Sequence, residues 1–568
     1  MDNPYGVFVS RPYEKEKIPD CCQVIPMPDT WVSNALKDTI NRWCYGQPIL
    51  IKAPTGSGKT TFVQDIVRHC RKKRIPNKVV LLLVSRTAIA IQQRLEFAKK
   101  FNSKWYKVKD ESVFQYVDYL DDVGILIMTY QNFSANYKSM DLKKIDWVVM
   151  DEAHYFLSDS LFNAYLDPLF WKLPELFKHA NRLYLTATPG AVLDDICAAE
   201  SKMLHECAVC PHRCQNKGTL LLYDFPDRYN NVQLSYFRNV DEIVDLVKSH
   251  PNDQFLIFTS KRETSNSSGS SYVKSLDNAD ISVDYLDSKS KQSDTWASVC
   301  NQGHFNSQVL VATSVLDCGI SLHNPSLRHI VVESTDKTEF LQMIGRRRLY
   351  PGESINVYIR AVSPGTLLNR LNRINQQLAL IAECFQAAHT KNFDLLLHKG
   401  WRDEDESRPY MHLLNYLGSG RLSPKKTAYH QLLWQQATLE RLLRDAKNYQ
   451  DDSALPRLAH KWLNQIDGYD PSRWLDYNRK KETRGQLMTL LETHLNKKFS
   501  KSECNALAKQ LLPLVNAIQK FSHDLEEDTK RTPRTMNQRF EALQIPFRFV
   551  KNSGSPVTYS IQRQETEG

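Results

Sequence analysis

Short runs of aliphatic residues alternate with amphipathic stretches over the first 360 residues of the chain. The pattern predicts strands at PILIKA (48–53), KVVLLLV (78–84), VGILIMT (123–129), DWVVMDE (146–152), RLYLTAT (182–188), QFLIFTS (254–260), QVLVATS (308–314), HIVVES (329–334) and SINVYI (354–359). Strands that are apolar throughout and separated by helices are typical of a parallel sheet covered on both faces. The rhythm restarts before residue 254, which predicts two successive α/β domains, assigned to residues 1–215 and 216–364.

The pattern changes after about residue 365. Residues 365–480 contain long helical stretches rich in Leu, Gln and Arg, which predict a helical accessory domain. In residues 481–568, helical segments precede FRFVKNSGSPVTYSIQ, two alternating runs joined by a turn that predict a β-hairpin. Helices followed by a basic hairpin predict a winged-helix-like domain that binds nucleic acid.

Composition narrows the class of protein only slightly. The 568 residues are 42% hydrophobic, as in a globular protein, and 74 Lys and Arg exceed 64 Asp and Glu, a mild preference for polyanionic partners. No apolar run approaches the roughly 18 residues of a membrane span, and the first residues lack the apolar core of a signal peptide. With 12 scattered cysteines, these features predict a cytoplasmic protein without a membrane partner.

The strand PILIKA leads directly into APTGSGKT and then into a helical segment. Gly56 and Gly58 would let backbone N–H groups point at phosphate oxygens, Lys59 adds a cation, and Thr60 offers a hydroxyl to Mg²⁺. The strict phosphate-loop pattern has Gly where Ala53 stands, but the strand-loop-helix context compensates. The residues predicted to bind ATP are Thr55, Gly56, Ser57, Gly58, Lys59, Thr60 and Thr61.

The run WVVMDEAH places two carboxylates at the carboxyl end of an apolar strand, where open α/β sheets bind ligands. Asp151 could hold Mg²⁺, and Glu152 could polarise the water that attacks a phosphate. Such a pair can instead cap the next helix, but its position after a phosphate loop favours catalysis.

Five segments together resemble motifs I, II, III, V and VI of superfamily 2 helicases, in the family's order. They are APTGSGKT, DEAH, LTATPG (185–190), VATSVLDCGISL (311–322) and QMIGRRR (342–348). Three further segments are similar to motifs Ia, Ib and IV: VSRTAIAIQQR (84–94), MTYQNF (128–133) and FLIFTSKRE (255–263). The DEAH spelling resembles the DExH type. The resemblance implies two tandem RecA-like domains that bind ATP and Mg²⁺ in the cleft between them.

The resemblance also implies roles for individual residues. Lys59, Asp151, Glu152, Gln342, Arg346 and Arg348 would be catalytic, and Asp317 and Gly319 would sense the nucleotide from the second domain. The residues implied near the nucleic-acid strand are Arg86, Thr87, Thr129, Thr186, Thr188 and Thr313, with Thr186 and Thr188 coupling that strand to the nucleotide.

Motif VI departs from the commonest spelling of the family. The usual form is Q-x-x-G-R-x-G-R, whereas this chain has Q-x-x-G-R-x-R, with Leu349 at the position of the second arginine. The shorter spelling resembles viral and mobile-element helicases, including herpesvirus origin-binding proteins. We favour Arg346 as the contact to the γ-phosphate and Arg348 as a second contact, although three adjacent arginines could also form a solvated basic patch.

The segment HECAVCPHRCQ carries Cys207, Cys210 and Cys214 with His212 between them. This spacing is compatible with a structural Zn²⁺, but no second C-x₂-C follows, so a loop with free thiols is the alternative.

The C-terminal segment is strongly basic. Arg534 and Arg539 lie on a predicted helix, and Arg548 and Lys551 lie on the predicted hairpin, which suits contacts to duplex phosphates. A winged helix that binds protein, with charges that are merely solvated, is the alternative.

Taken together, the sequence favours an ATP-dependent helicase or translocase that binds single-stranded and forked or duplex DNA. An ATP-gated, site-specific DNA-binding initiation factor and an RNA helicase are the alternatives. Residues 365–480 could also contact protein partners.

Overall fold

The computed structural model describes residues 19, 21–43, 46–72, 79–102, 124–161, 163–201, 219–227, 229–259, 271–287, 289–290, 293–313, 316, 320–349, 352–390, 413–416, 422–449, 451–518 and 532–564. The chain divides into two compact units, one up to Tyr469 and the other from Asp470. No helix of these described residues is both long and apolar enough to cross a membrane.

The first domain contains a seven-stranded parallel sheet in the order β1-β7-β2-β6-β5-β3-β4. Its strands are β1 Cys22–Pro26, β2 Pro48–Lys52, β3 Val79–Val84, β4 Ile125–Thr129, β5 Ile145–Met150, β6 Asn181–Thr186 and β7 Leu220–Asp224. Its helices are α1 Val32–Leu36, α2 Lys59–Lys72, α3 Thr87–Phe101, α4 Tyr130–Asn136, α5 Tyr155–Ser158, α6 Leu166–Leu176 and α7 Gly190–Ser201. The central strands are mainly apolar because both faces of the sheet are covered: Ile49 packs in the core with Phe62, and Leu50 packs in the opposite core with Phe170.

The second domain contains a six-stranded parallel sheet in the order β10-β11-β9-β12-β13-β8. Its strands are β8 Val232–Phe237, β9 Gln254–Phe258, β10 Val283–Leu286, β11 Val309–Ala312, β12 Leu327–Val332 and β13 Ile355–Arg360. Its helices are α8 Val240–Ser249, α9 Tyr272–Asp277, α10 Asp294–Gln302 and α11 Lys337–Ile344. The two sheets confirm the predicted α/β class with tandem RecA-like domains.

Each strand predicted from the sequence is present, but four further strands of the two parallel sheets were missed, namely β1, β7, β8 and β10. The predicted domain boundary at residue 215 is too early. Residues Leu220–Asp224 pair with β1 and β2 in the first sheet, so the first domain continues through Asp224. An apolar run does not reveal which of two sheets it joins, because strand pairing is a tertiary property.

The predicted helical accessory region contains α12 Pro364–Thr390, α13 Lys426–Tyr449 and α14 Ala454–Trp462, with a short antiparallel pair, β14 Leu414–Tyr416 and β15 Leu422–Pro424. The start of α13 docks on the first domain. Asp167, only 4% exposed, accepts hydrogen bonds from Thr427 N at 2.8 Å and from Asn415 Nδ2 at 2.7 Å. His430 contacts Asp195 of α7 through its Nδ1 atom.

The end of this region docks on the second domain. His460 Nε2 lies 2.5 Å from the Tyr236 hydroxyl, and the Trp462 ring packs on Phe340 of α11 with 5.4 Å between ring centroids. The described residues 413–416, 422–449 and 451–469, named the bridging segment, therefore contact both α/β domains. Contacts of this segment with other proteins remain a prediction.

The C-terminal unit contains α15 Tyr477–Thr493, β16 Lys498–Phe499, α16 Lys501–Ile518, α17 Thr532–Ala542, β17 Phe547–Asn552 and β18 Thr558–Arg563. Its strands form an antiparallel sheet in the order β16-β18-β17, and β17 with β18 is the predicted hairpin. Phe549 and Ile561 pair across the hairpin and are buried, whereas Arg548 is exposed. The boundary predicted at residue 480 falls inside helix α15, and the unit begins ten residues earlier, at Asp470.

Candidate ATP site and nucleic-acid interface

The loop between β2 and α2 has the backbone shape of a phosphate cradle. Gly56 and Gly58 have φ values of +79° and +87°, which favour glycine, and a Cβ on Gly58 would lie 2.8 Å from the Trp31 ring. Lys59 is 9% exposed, and its Nζ donates to Ala53 O at 2.8 Å. The loop therefore holds its backbone N–H groups and its lysine in place before any ligand arrives.

The two carboxylates that follow β5 differ in their protonation. Burial, together with the neighbouring Glu152, raises the pKa of Asp151 to about 7. Burial acts against the charge of Glu152 as well, but Lys59 and His154 outweigh it, and the pKa of Glu152 is lowered. Glu152 also has a φ of +51°, an uncommon conformation that often marks functional sites. Glu152 thus stays ionised at neutral pH, whereas Asp151 loses its proton less readily.

His154 connects the two α/β domains. Its Nδ1 atom lies 2.9 Å from Thr186 Oγ1, and its Nε2 atom accepts a hydrogen bond from the side-chain amide of Gln342. Burial lowers the pKa of His154, so the ring is neutral, with its proton assigned to Nδ1. Motifs II, III and VI therefore meet at this one imidazole.

The arginines of motif VI have different surroundings. Arg346 is 3% exposed, and its Nε donates to Gln342 O at 2.8 Å within the second domain. Arg347 is turned toward the body of the second domain, where it bonds Leu327 O at 3.3 Å. Neither residue belongs to a solvated basic patch.

Arg348 is the arginine that reaches the phosphate loop. Its Nη1 atom lies 3.1 Å from the position that a Cβ on Gly56 would occupy, and its Nε donates to Ser321 Oγ at 2.9 Å. Burial and the neighbouring Arg346 lower the pKa of Arg348. Arg346 is held by the backbone of its own domain but also lowers the pKa of Glu152, so which of the two arginines contacts the γ-phosphate stays a prediction.

The residues around the loop fit a nucleotide with Mg²⁺. Ser57 Oγ, Glu152 Oε2 and Gln93 Oε1 are buried polar atoms with no hydrogen-bond partner among the described residues. Oxygen ligands and a glycine cradle suit a phosphate chain and a hard cation. Thr60 and Asp151 are the residues that would hold the Mg²⁺.

Some predicted site residues lie outside the described part of the chain. These are Asp317 and Gly319 of motif V, and Cys207, Cys210, Cys214 and His212 of the predicted zinc site. Within the described ranges, no group of three or more His, Cys, Asp or Glu residues could hold a metal ion. A bound Zn²⁺ therefore remains an untested prediction, to be checked by metal content before and after Cys210→Ser.

The residues predicted near the nucleic-acid strand fall into two groups. Thr87 is exposed, and Arg86 is half-exposed but forms an ion pair with Asp159 at 2.8 Å. Both lie at the carboxyl edge of the first sheet, as does Thr129, whose hydroxyl caps α4. Thr186 and Thr188 are buried, with exposed fractions of 0% and 6%. Any coupling of these two threonines to a nucleic-acid strand would therefore pass through neighbouring residues. Thr313 follows β11 at the corresponding edge of the second sheet.

In the C-terminal unit, three of the four predicted contacts are available to solvent. Arg534, Arg548 and Lys551 are exposed. Arg539 is 3% exposed and donates to Asn516 Oδ1 at 2.8 Å, so the prediction that it contacts DNA is wrong. Helical periodicity turns this side of α17 toward its own core, which a count of basic residues does not reveal.

Two neighbours of the loop were missed from the sequence. Gln93 of α3 lies beside Thr60, and Trp31 lies beside Gly58. The sequence gives some indication of a contact by Trp31, since this aromatic residue directly precedes the first residue of α1. Gln93 carries no such indication, because polar residues on helices are usually solvated.

The fold consists of two tandem RecA-like domains, and the first of them carries the glycine loop and buried lysine of a P-loop nucleotide site. Residues 28–191 match the family model "Type III restriction enzyme, res subunit", and residues 238–348 match "Helicase conserved C-terminal domain". The paired matches make the two α/β domains similar to those of superfamily 2 helicases.

Curated relatives match parts of the chain. A probable ATP-dependent helicase of Methanocaldococcus jannaschii is 31% identical over 156 residues, which is 26% of this chain and 18% of that protein. The ATP-dependent RNA helicase DBP6 of Saccharomyces cerevisiae is 24% identical over 318 residues, 49% of each chain. The chain thus spans half or less of the length of these relatives.

Solved structures show a low degree of likeness. S. cerevisiae Dbp5 bound to RNA and ADP BeF3 is 15% identical with a TM-score of 0.41, over 57% of this chain and 82% of that one. Mycobacterium smegmatis helicase Lhr bound to ssDNA and AMP-PNP is 16% identical with a TM-score of 0.41, over 71% of this chain and 60% of that one.

Proposed function

We propose that the chain is an ATP-dependent helicase or translocase that moves along single-stranded DNA. The observation that carries the proposal is the contact across the cleft, where Gln342 meets His154 and Arg348 meets the loop at Gly56. A phosphate site completed by a second α/β domain changes shape when the nucleotide is bound and hydrolysed. Such domain closure moves the nucleic-acid contacts of one domain relative to those of the other.

The first domain would hold the nucleotide. Lys59 would contact the β and γ phosphates, and Thr60 and Asp151 would hold Mg²⁺, which supplies electrostatic stabilisation of the phosphoryl oxygens. Glu152 would orient and polarise the attacking water, a role that its lowered pKa supports because the carboxylate remains ionised at neutral pH.

The second domain would supply the positive charge at the transferred phosphate. We assign this role to Arg348, with Arg346 as the residue that holds motif VI in shape. Arg348→Ala should lower kcat by about 10³-fold and leave nucleotide binding largely intact. Arg346→Ala is the matched variant. If Arg346→Ala stops hydrolysis with binding intact while Arg348→Ala does not, the assignment is reversed.

DNA is the preferred substrate because the C-terminal unit exposes basic residues on a helix and on a hairpin, as a winged helix that binds a duplex would. Arg534, Arg548 and Lys551 would contact phosphates, and Arg86, Thr87 and Thr129 would lie along a single strand. An RNA substrate is the second candidate, because one curated relative is an RNA helicase. The similarity of motif VI to viral and mobile-element helicases remains a prediction.

The test is ATP hydrolysis measured with equal nucleotide concentrations of single-stranded DNA, duplex, forked DNA and RNA. The proposal expects the largest stimulation by single-stranded or forked DNA and strand separation of the fork. Lys59→Ala and Glu152→Gln should abolish turnover on every substrate. Stimulation by RNA alone would select the RNA helicase. Turnover without strand separation, tied to one duplex sequence, would select an initiation factor.

A further inference from the structure

Gln93 contacts the residue that we assign to the Mg²⁺ site. Its Nε2 atom lies 3.4 Å from Thr60 Oγ1, while its Oε1 atom is buried and has no hydrogen-bond partner among the described residues. The amide thus offers one long, weak bond to Thr60 and leaves its acceptor unused. An unused buried acceptor costs free energy, and a state of the protein in which Oε1 accepts a hydrogen bond would recover that cost.

Metal binding would change what the Thr60 hydroxyl needs. A hydroxyl has one O–H donor and two lone pairs, and a bound cation occupies a lone pair and makes the O–H a stronger donor. The hydroxyl then requires an acceptor nearby. The terminal torsion of glutamine is soft, so half a turn of the Gln93 amide would place Oε1 where Nε2 now faces Thr60.

The position of Gln93 is fixed by the helix that carries it. On α3, Ile89 and Phe97 are buried in the core, and the guanidinium of Arg94 donates to Ile127 O at 2.8 Å. Groups that hydrogen-bond to a metal ligand act only when they are held at the right distance and orientation. The anchoring of α3 meets this requirement.

We propose that Gln93 is a positioning residue for Mg²⁺, accepting the hydrogen bond of the Thr60 hydroxyl when that hydroxyl binds the cation. The proposal rests on the ATP site assigned above. The competing explanation is that Gln93 only packs α3 against the loop, in which case the metal is irrelevant to it.

The experiment measures the affinity for a fluorescent ADP analogue, first in EDTA and then across an Mg²⁺ titration. In Gln93→Leu we expect unchanged affinity in EDTA and an Mg²⁺ midpoint about tenfold higher than in the wild type, as for other residues that bond to metal ligands. Gln93→Glu keeps an acceptor and should restore the wild-type midpoint. Gln92→Leu is the matched control, since the neighbouring Gln92 donates to the exposed Glu96, and it should leave both values unchanged.

An Mg²⁺ midpoint within twofold of wild type in Gln93→Leu would overturn the proposal. Equal losses of affinity in EDTA and in Mg²⁺ would assign Gln93 to packing and also overturn it. If the wild type itself shows no Mg²⁺-dependent nucleotide binding, the proposed function fails instead.

Discussion

The contact between Gln342 and His154 gives the most direct test of the cleft. In Gln342→Ala, the buried His154 Nε2 atom loses its donor, and an unsatisfied buried acceptor costs about 1–3 kcal/mol. The closed arrangement of the two domains should therefore become about 5- to 150-fold less favourable. Because Gln342 belongs to the second domain and the nucleotide is held mainly by the first, the loss should appear in kcat rather than in nucleotide affinity.

Steady-state ATP hydrolysis and binding of a fluorescent nucleotide separate these two effects. Gln302→Ala is the matched control, since Gln302 is an exposed glutamine on α10 of the same domain. A kcat within twofold of wild type in Gln342→Ala would refute the reasoning. A weaker nucleotide affinity with unchanged kcat would also refute it, because that result places Gln342 in ground-state binding.

Three further outcomes are expected. Since the pKa of Asp151 is raised to about 7, protons compete with Mg²⁺ below that pH, and the acid limb of the ATPase pH profile should move to lower pH as Mg²⁺ increases. An acid limb that does not depend on Mg²⁺ would contradict the assignment of Asp151 to the Mg²⁺ site. Asp167→Asn places an amide donor opposite the Asn415 amide and should cost about 1–3 kcal/mol at the docked start of α13, which would be measured as faster hydrogen exchange of residues 426–432. Asp245→Asn, at an exposed position, should leave that exchange unchanged. Arg534→Ala should reduce the slope of log K for duplex binding against log salt concentration by about one, while Arg539→Ala, at a buried position, should lower the stability of the C-terminal unit without a comparable change in that slope. Equal slopes in the two variants would exclude Arg534 from the interface.

Local patterns along the chain were sufficient for the class of fold and the core of the site. Fully apolar strands predict sheets buried on both faces, and APTGSGKT and DEAH follow such strands because parallel strands present their carboxyl ends at one edge. The hairpin at the C-terminus was equally predictable, since Phe549 and Ile561 alternate with polar residues. Each of these features depends on residues close together in the chain.

Contacts between distant segments required the folded molecule. The sequence does not reveal that Leu220–Asp224 completes the first sheet, that Arg348 lies against the phosphate loop at Gly56, or that Gln93 meets Thr60. Arg539 and Arg534 look alike in sequence, yet one is buried and the other is exposed. The physical reason is that the direction of a side chain depends on packing between elements, and that packing brings together residues that no local pattern relates.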